Sequence, residues 1–234
     1  MAYTWTILVA LLCVNSVLSK RCDLKDSDCL TRWANMLYPA FIKGSTTIKS
    51  SDPIHNDIVE AELPTFKYSL RNAELTGMKD CRVAELEYNE NSMTYKYFVQ
   101  CPHIKITADH EAKGDLLGFM VDIKGKLTIN GDDYKYNFSG KVETTTGADG
   151  KKYIQLITHE VEAGANGKLE LDFKNDYDAS SSDFTIIQKF LNENWKDMDD
   201  KLRKPTVDGF MNIFLDNLNA YFKGYPFEPF VPDD

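Results

Sequence analysis

Residues 183–222 read DFTIIQKFLNENWKDMDDKLRKPTVDGFMNIFLDNLNAYF, and this stretch decides the fold. Ile187, Phe190, Leu191, Trp195, Met198 and Leu202 recur at steps of three and four, and Val207, Phe210, Met211, Phe214, Leu218, Tyr221 and Phe222 continue the stripe. That is the period of one helical face. Gly224 can end the helix. Pro205 falls inside the pattern and either kinks one long helix or splits it in two. An unbroken helix of about 38 residues would be roughly 57 Å long, which exceeds the width of a compact domain of this size. The stripe is rich in Phe and Trp and lacks sustained heptads with paired flanking charges, which argues against a coiled coil.

Upstream, from about Ile58 to Lys174, the period is two. Phe66, Tyr68 and Leu70 alternate with Lys67, Ser69 and Arg71; Tyr134, Tyr136 and Phe138 alternate with Lys135, Asn137 and Ser139; Leu169, Leu171 and Phe173 alternate with Lys168, Glu170 and Asp172. Each run is a strand with one dry face and one wet face. Turn compositions at 113–115, 130–132, 147–150 and 166–167 divide the region into roughly seven to nine antiparallel strands. A short helix comes first, capped at Asp28, with Leu30, Trp33, Ala34, Leu37, Ala40 and Phe41 on one face and Gly44 after its end.

A one-sided sheet and an aromatic helix must each bury a dry face. The simplest arrangement is an α+β fold with a short N-terminal helix, in which a highly curved antiparallel sheet wraps the long C-terminal helix. Incomplete packing inside it would leave an elongated apolar tunnel suited to a lipid; a solid core would show the same sequence pattern. Wall candidates for a tunnel are Trp33, Leu37 and Phe41 from the first helix, Phe138 from the sheet, and Phe210, Phe214, Leu218 and Phe222 from the last helix. Tyr134 and Tyr136 are candidate donors to a polar group on a ligand, since a Tyr hydroxyl can sit at an apolar wall.

The composition, 43% hydrophobic and 27% charged, is that of a folded chain. The net charge of −9 disfavours nucleic acid and anionic membranes as partners. Residues 1–19 carry no charged side chain and include the apolar run Ile7 to Val14, too short to span a bilayer comfortably. They read as a signal peptide, leaving residues 20–234 as one secreted domain with no integral membrane segment. Cys13 leaves with the signal. The remaining Cys22, Cys29, Cys81 and Cys101 allow three pairings in an oxidising compartment. Cys22 and Cys29 are near neighbours. A hairpin centred on Asn91 sets Cys81 opposite Cys101 and Val83 opposite Val99, which favours a second bridge there; free buried thiols are the alternative.

Chemistry is sparse. There is no nucleophile elbow, no His-Glu-x-x-His and no phosphate loop, so no catalytic residue, cofactor or metal is expected. His55, His103, His110 and His159 are scattered. Asp197, Asp199 and Asp200 read as the solvated face of the last helix, and Glu85 and Glu87 as strand positions beside Tyr97 and Tyr95. Asn137 opens the glycosylation sequon Asn137-Phe138-Ser139, and strand alternation points it to water. The tail from Pro226 to Pro232, with proline at every third position, reads as extended chain.

The order and spacing of several short segments resemble the takeout and juvenile-hormone-binding protein family of insects. They are Cys22 and Cys29 at the first helix, Asp52-Pro53-Ile54, Leu75-Thr76-Gly77, Pro102-His103-Ile104-Lys105-Ile106, Gly114-Asp115-Leu116-Leu117, Phe190-Leu191-Asn192-Glu193-Asn194-Trp195, and Ala220-Tyr221-Phe222 before Pro226. The likeness covers nearly all of the chain after residue 19, and Cys81 and Cys101 lie outside it. It implies the tubular lipid-binding fold and carriage of juvenile hormone, another isoprenoid or a fatty-acid derivative in an extracellular fluid such as haemolymph. A secreted interaction module without a lipid, recognised by a receptor that no residue pattern identifies, is the second reading. A hydrolase is a distant third.

Overall fold

In the computed structural model, residues 22–116, 118–175 and 182–226 are described. The proposed signal peptide and residues 227–234 of the proline-spaced tail lie outside them. Helix α1 is Ser27–Lys43. Strands β1 Ile54–Glu62, β2 Phe66–Thr76, β3 Arg82–Asn89, β4 Thr94–Leu116, β5 Phe119–Thr146, β6 Lys152–Ala165 and β7 Leu169–Asn175 follow. Helices α2 Ser182–Glu193 and α3 Trp195–Gly224 close the chain. Among the described residues the strands form one antiparallel sheet, in the order β1-β2-β4-β5-β6, with β3 also on β4 and β7 also on β5. It curves until α3 lies against β6 on one side and β1 on the other.

Several sequence expectations are corrected here. Asn130-Gly131-Asp132 is no turn but the middle of the 28-residue β5. Lys113-Gly114-Asp115 lies within β4, and the hairpin reverses after Leu116. At Asn166-Gly167 the chain does not reverse: β6 and β7 both run antiparallel to β5, along successive stretches of it. Likewise β2 and β3 run along successive stretches of β4. Each pair acts as one long strand with a break. The four irregularities, at 77–81, 102–103, 132–133 and 166–168, lie side by side across the sheet.

The burial phase switches at this line. In β4 the buried residues are odd-numbered from Tyr95 to Cys101 and even-numbered from Ile104 onward; in β5 they are odd-numbered up to Gly131 and even-numbered from Tyr134. Pro102, which has no N–H to donate, and Asp133, at φ 48°, supply the extra residues. The bridge Cys81–Cys101 staples the line, with Cα atoms 4.2 Å apart, and Cys22–Cys29 ties the start of α1. Arg82 faces Gln100 and Val83 faces Val99, the hairpin register expected near this bridge. Toward the turn a bulge at Glu85, φ 50°, moves Glu87 opposite Lys96 rather than Tyr95.

The helices differ in detail from expectation. Asp26, not Asp28, caps α1 by accepting the Cys29 N–H. Ala40 is exposed, and Tyr38 and Ile42 are buried in its stead. The long aromatic stripe breaks at Asn194, and α3 runs through Pro205. In the turn before the proline, the Leu202 carbonyl accepts the Tyr68 hydroxyl at 2.8 Å, which ties β2 to α3 beside Pro205.

Open strand edges are closed by asparagines. Asn35 of α1 accepts the Val83 N–H and donates to the Val83 carbonyl, at 3.0 and 2.7 Å. Asn192 of α2 does the same to Leu171, at 2.7 Å each way. Each amide also donates back to the carbonyl four residues earlier in its own helix. A side-chain amide thus stands in for the missing neighbouring strand. Asn219 accepts the Leu156 N–H of β6, and Asn56 of β1 donates to the Gly209 carbonyl of α3. Gly209 permits that contact: a Cβ there would stand 2.8 Å from Val59 Cγ2.

Replacing Asn192 with Leu leaves the Leu171 N–H and carbonyl without partners. Urea unfolding should show a loss of about 1–3 kcal/mol. Asn192→Asp, which keeps the acceptor but sets an anion against the carbonyl, should recover little of it. Wild-type stability in both variants would contradict the edge-closing role.

Candidate functional site

The concave face of the sheet and the inner face of α3 do not meet everywhere. Two apolar chambers lie end to end, one on each side of the bend line. The first encloses about 100 Å³ between the N-terminal half of α3 and the β2, β7 half of the sheet; Leu75, Ile106, Leu127, Leu171, Phe210 and Met211 are among its walls. The second encloses about 170 Å³ between α1, the C-terminal half of α3 and the β3, β6 half; Trp33, Leu37, Val99, Val142, Leu156 and Phe214 are among its walls.

The residues singled out from the sequence divide between the chambers. Trp33, Leu37, Phe41, Phe214, Leu218 and Phe222 line the second. Tyr134, Tyr136 and Phe210 line the first. Phe138 borders neither. It is fully buried between them, stacked on Tyr97 at 4.8 Å and on Phe214 at 5.7 Å. Phe41 meets Phe214 edge-on at 5.2 Å and Tyr221 at 5.8 Å. These rings form an aromatic partition. Asn137 lies on the exposed face of β5, away from both chambers.

Polar groups are few and mostly phenolic. Tyr38 donates to the Met78 carbonyl at 2.9 Å. Burial pushes the Tyr95 hydroxyl up to about 12, and raises Tyr97 and Tyr136 well above the usual phenol range, so all three stay neutral donors. Burial also raises Tyr134, helped by the charge of Asp199 and opposed by that of Arg203. Buried His110 borders the first chamber, its ring 5.2 Å from that of Phe173.

Asp199 is the one acidic residue that the sequence reading misplaced. Asp197 and Asp200 are exposed, but Asp199 is only 8% exposed and borders the first chamber. Its Oδ2 accepts Arg203 Nη1 at 2.6 Å. Burial raises its carboxyl above the usual range and Arg203 partly offsets this. The signal was present: Asp199 stands four residues from Trp195 and three from Leu202, on the apolar stripe itself. Among the described residues no His, Cys, Asp and Glu cluster could hold a metal, and no helix is long and apolar enough to cross a membrane.

Residues 6–232 match the family model described as haemolymph juvenile hormone binding protein. The circadian clock-controlled protein daywake of Drosophila melanogaster is 22% identical over 228 residues, covering 90% of this chain and 86% of that protein. Daywake of Drosophila yakuba is 21% identical over 224 residues with the same coverage. Takeout 1 of Epiphyas postvittana superposes with a TM-score of 0.85 at 16% identity, over 90% of this chain and 98% of the other. That superposition shows the shared fold: a large curved antiparallel sheet, a short N-terminal helix and a long C-terminal one.

The partition is testable by truncation. Phe214→Ala removes a ring that touches Phe41 and Phe138, and should cost about 3–5 kcal/mol in denaturant unfolding. Phe222→Ala, at a partly exposed wall, should cost clearly less. Equal losses would show that the two rings are equally well packed and that no partition exists.

Proposed function

Because the chain belongs to the haemolymph juvenile hormone binding protein family, we propose that it is a secreted carrier. It would hold a hydrophobic small molecule, such as juvenile hormone, a related isoprenoid or a fatty-acid-like lipid, in the hollow along α3. The observation that supports this most is the pair of chambers, walled almost wholly by apolar and aromatic side chains. A space with such walls gains little from water and much from hydrocarbon. The two disulfides accord with an oxidising compartment. The ligand contacts we assign are Trp33, Leu37, Phe41, Phe214, Leu218 and Phe222 in the second chamber, and Tyr134, Tyr136 and Phe210 in the first.

The energetics are those of transfer. Each buried CH₂ contributes about 0.8 kcal/mol, so ten or so carbons give on the order of 8 kcal/mol before the cost of association.

Displacement of a neutral apolar fluorophore such as N-phenyl-naphthylamine tests this reading. Saturable uptake is expected, with affinity along a series of alkyl competitors rising roughly four-fold per added CH₂ until the hollow is full. Val142→Trp and Leu156→Trp, which fill the second chamber, should weaken uptake about ten-fold or more, while costing about 1–3 kcal/mol of stability. A folded wild-type protein that takes up no fluorophore would instead favour an interaction module with a solid interior.

A further inference from the structure

The two chambers differ in chemistry. Among the described residues no charged side chain lines the second. The first is equally apolar over most of its wall, yet Asp199 and Arg203 from α3 and Tyr134 from β5 are among the residues that line it. Arg203 Nη1 holds Asp199 Oδ2 at 2.6 Å and lies against Gly164 of β6, next to Ala165, the residue that pairs with Tyr134, so the three groups share one end of the chamber. That end lies at the seam between α3 and β6. Arg203, Val207 and Met211 border the chamber on the inside and a polar groove on the outside. Gly164 of β6 makes room there, since a Cβ would stand 2.9 Å from Arg203 Nη1.

Building on the carrier reading, we propose that the first chamber takes an apolar molecule ending in an uncharged hydroxyl, which donates to Asp199 and accepts from Tyr134. The ion pair engages Asp199 Oδ2 through Arg203 Nη1, while Nη2 reaches out to Asp200 at 3.2 Å. The ligand hydroxyl we propose donates to the other oxygen, Oδ1. An apolar ligand that fills the chamber strips water from this carboxylate and must replace it with a hydrogen bond, or the affinity gained by burial is lost. A hydroxyl supplies that donor and, through its lone pairs, accepts the neutral Tyr134 phenol. An ester can only accept, so it leaves Asp199 Oδ1 without a donor. A ligand carboxylate would set an anion against Asp199 in a poorly solvated space. The site therefore selects alcohols over esters and acids of equal chain length, and Asp199 and Tyr134 determine that selection.

Native mass spectrometry of the full secreted chain, incubated with equimolar decanol, decanoate and methyl decanoate, reads the selection directly. The alcohol should be retained at least about ten-fold over the ester and the acid. Asp199→Asn and Tyr134→Phe should each abolish the preference, and Asp208→Asn, on the outer face of the same helix, should keep it. Asp199→Asn strands Arg203 and risks the fold; Tyr134→Phe leaves the ion pair intact and tests the same bond. Equal retention of alcohol and ester by the wild type, or an unchanged preference in Tyr134→Phe, overturns the proposal. So does retention of none of the three by a protein that still takes up the fluorophore. A protein that takes up neither overturns the carrier reading as well.

Discussion

A curved antiparallel sheet with long strands leaves backbone N–H and carbonyl groups unpaired along its open edges, and these must be satisfied if they are to be buried. The structure answers with helices. Asn35 and Asn192 each present a peptide-like amide to one strand residue, Asn219 serves Leu156 of β6, and Asn56 ties β1 to Gly209. Because α3 is bonded to β1 on one side and β6 on the other, it is held at the seam. The concave face is then filled only by side chains long enough to reach across. Where Phe138, Phe210 and Phe214 reach, the interior is solid; on either side of them it is hollow.

The bend line gives the hollow its two-part form. Strands of 23 and 28 residues cannot stay straight and also enclose a helix. The extra residues near Pro102 and Asp133 turn the inward-facing set from one parity to the other, and the aligned breaks at 77–81 and 166–168 let all the strands bend together. The Cys81–Cys101 bridge fixes the two strands at that line, with Tyr134 opposite Cys101 in β5. One chamber lies on each side.

The broad plan was legible because it rests on period. Alternation over residues 58–174 and the aromatic stripe after 183 are long signals, and length is what makes a periodic signal secure. The errors fall where composition was read without context. Asn130-Gly131-Asp132 has turn chemistry, but in a strand bonded on both sides the same residues make a local irregularity and the strand goes on. Of the two outcomes open at Pro205, α3 continues through it, and the break in the stripe falls instead at the less conspicuous Asn194. The edge-closing asparagines could not be recognised, because an Asn on a helix reads simply as polar until the facing strand is known. The wall candidates were chosen as apolar stripes, and a stripe carries no information on how far its side chains stop short of the opposite wall. The partition at Phe138 and the placing of Asp199 inside the chamber depend on that distance.

The central claim is that dry space lies between sheet and helix and accepts hydrocarbon. A crystal structure of the protein soaked with a brominated long-chain alkane, phased on the bromine, tests it most directly. The account predicts an anomalous peak between α3 and the concave face, beside Leu156 and Phe214 or beside Leu127 and Met211. Bromine found only on the outer surface, with side chains in contact across the whole interior, would contradict it.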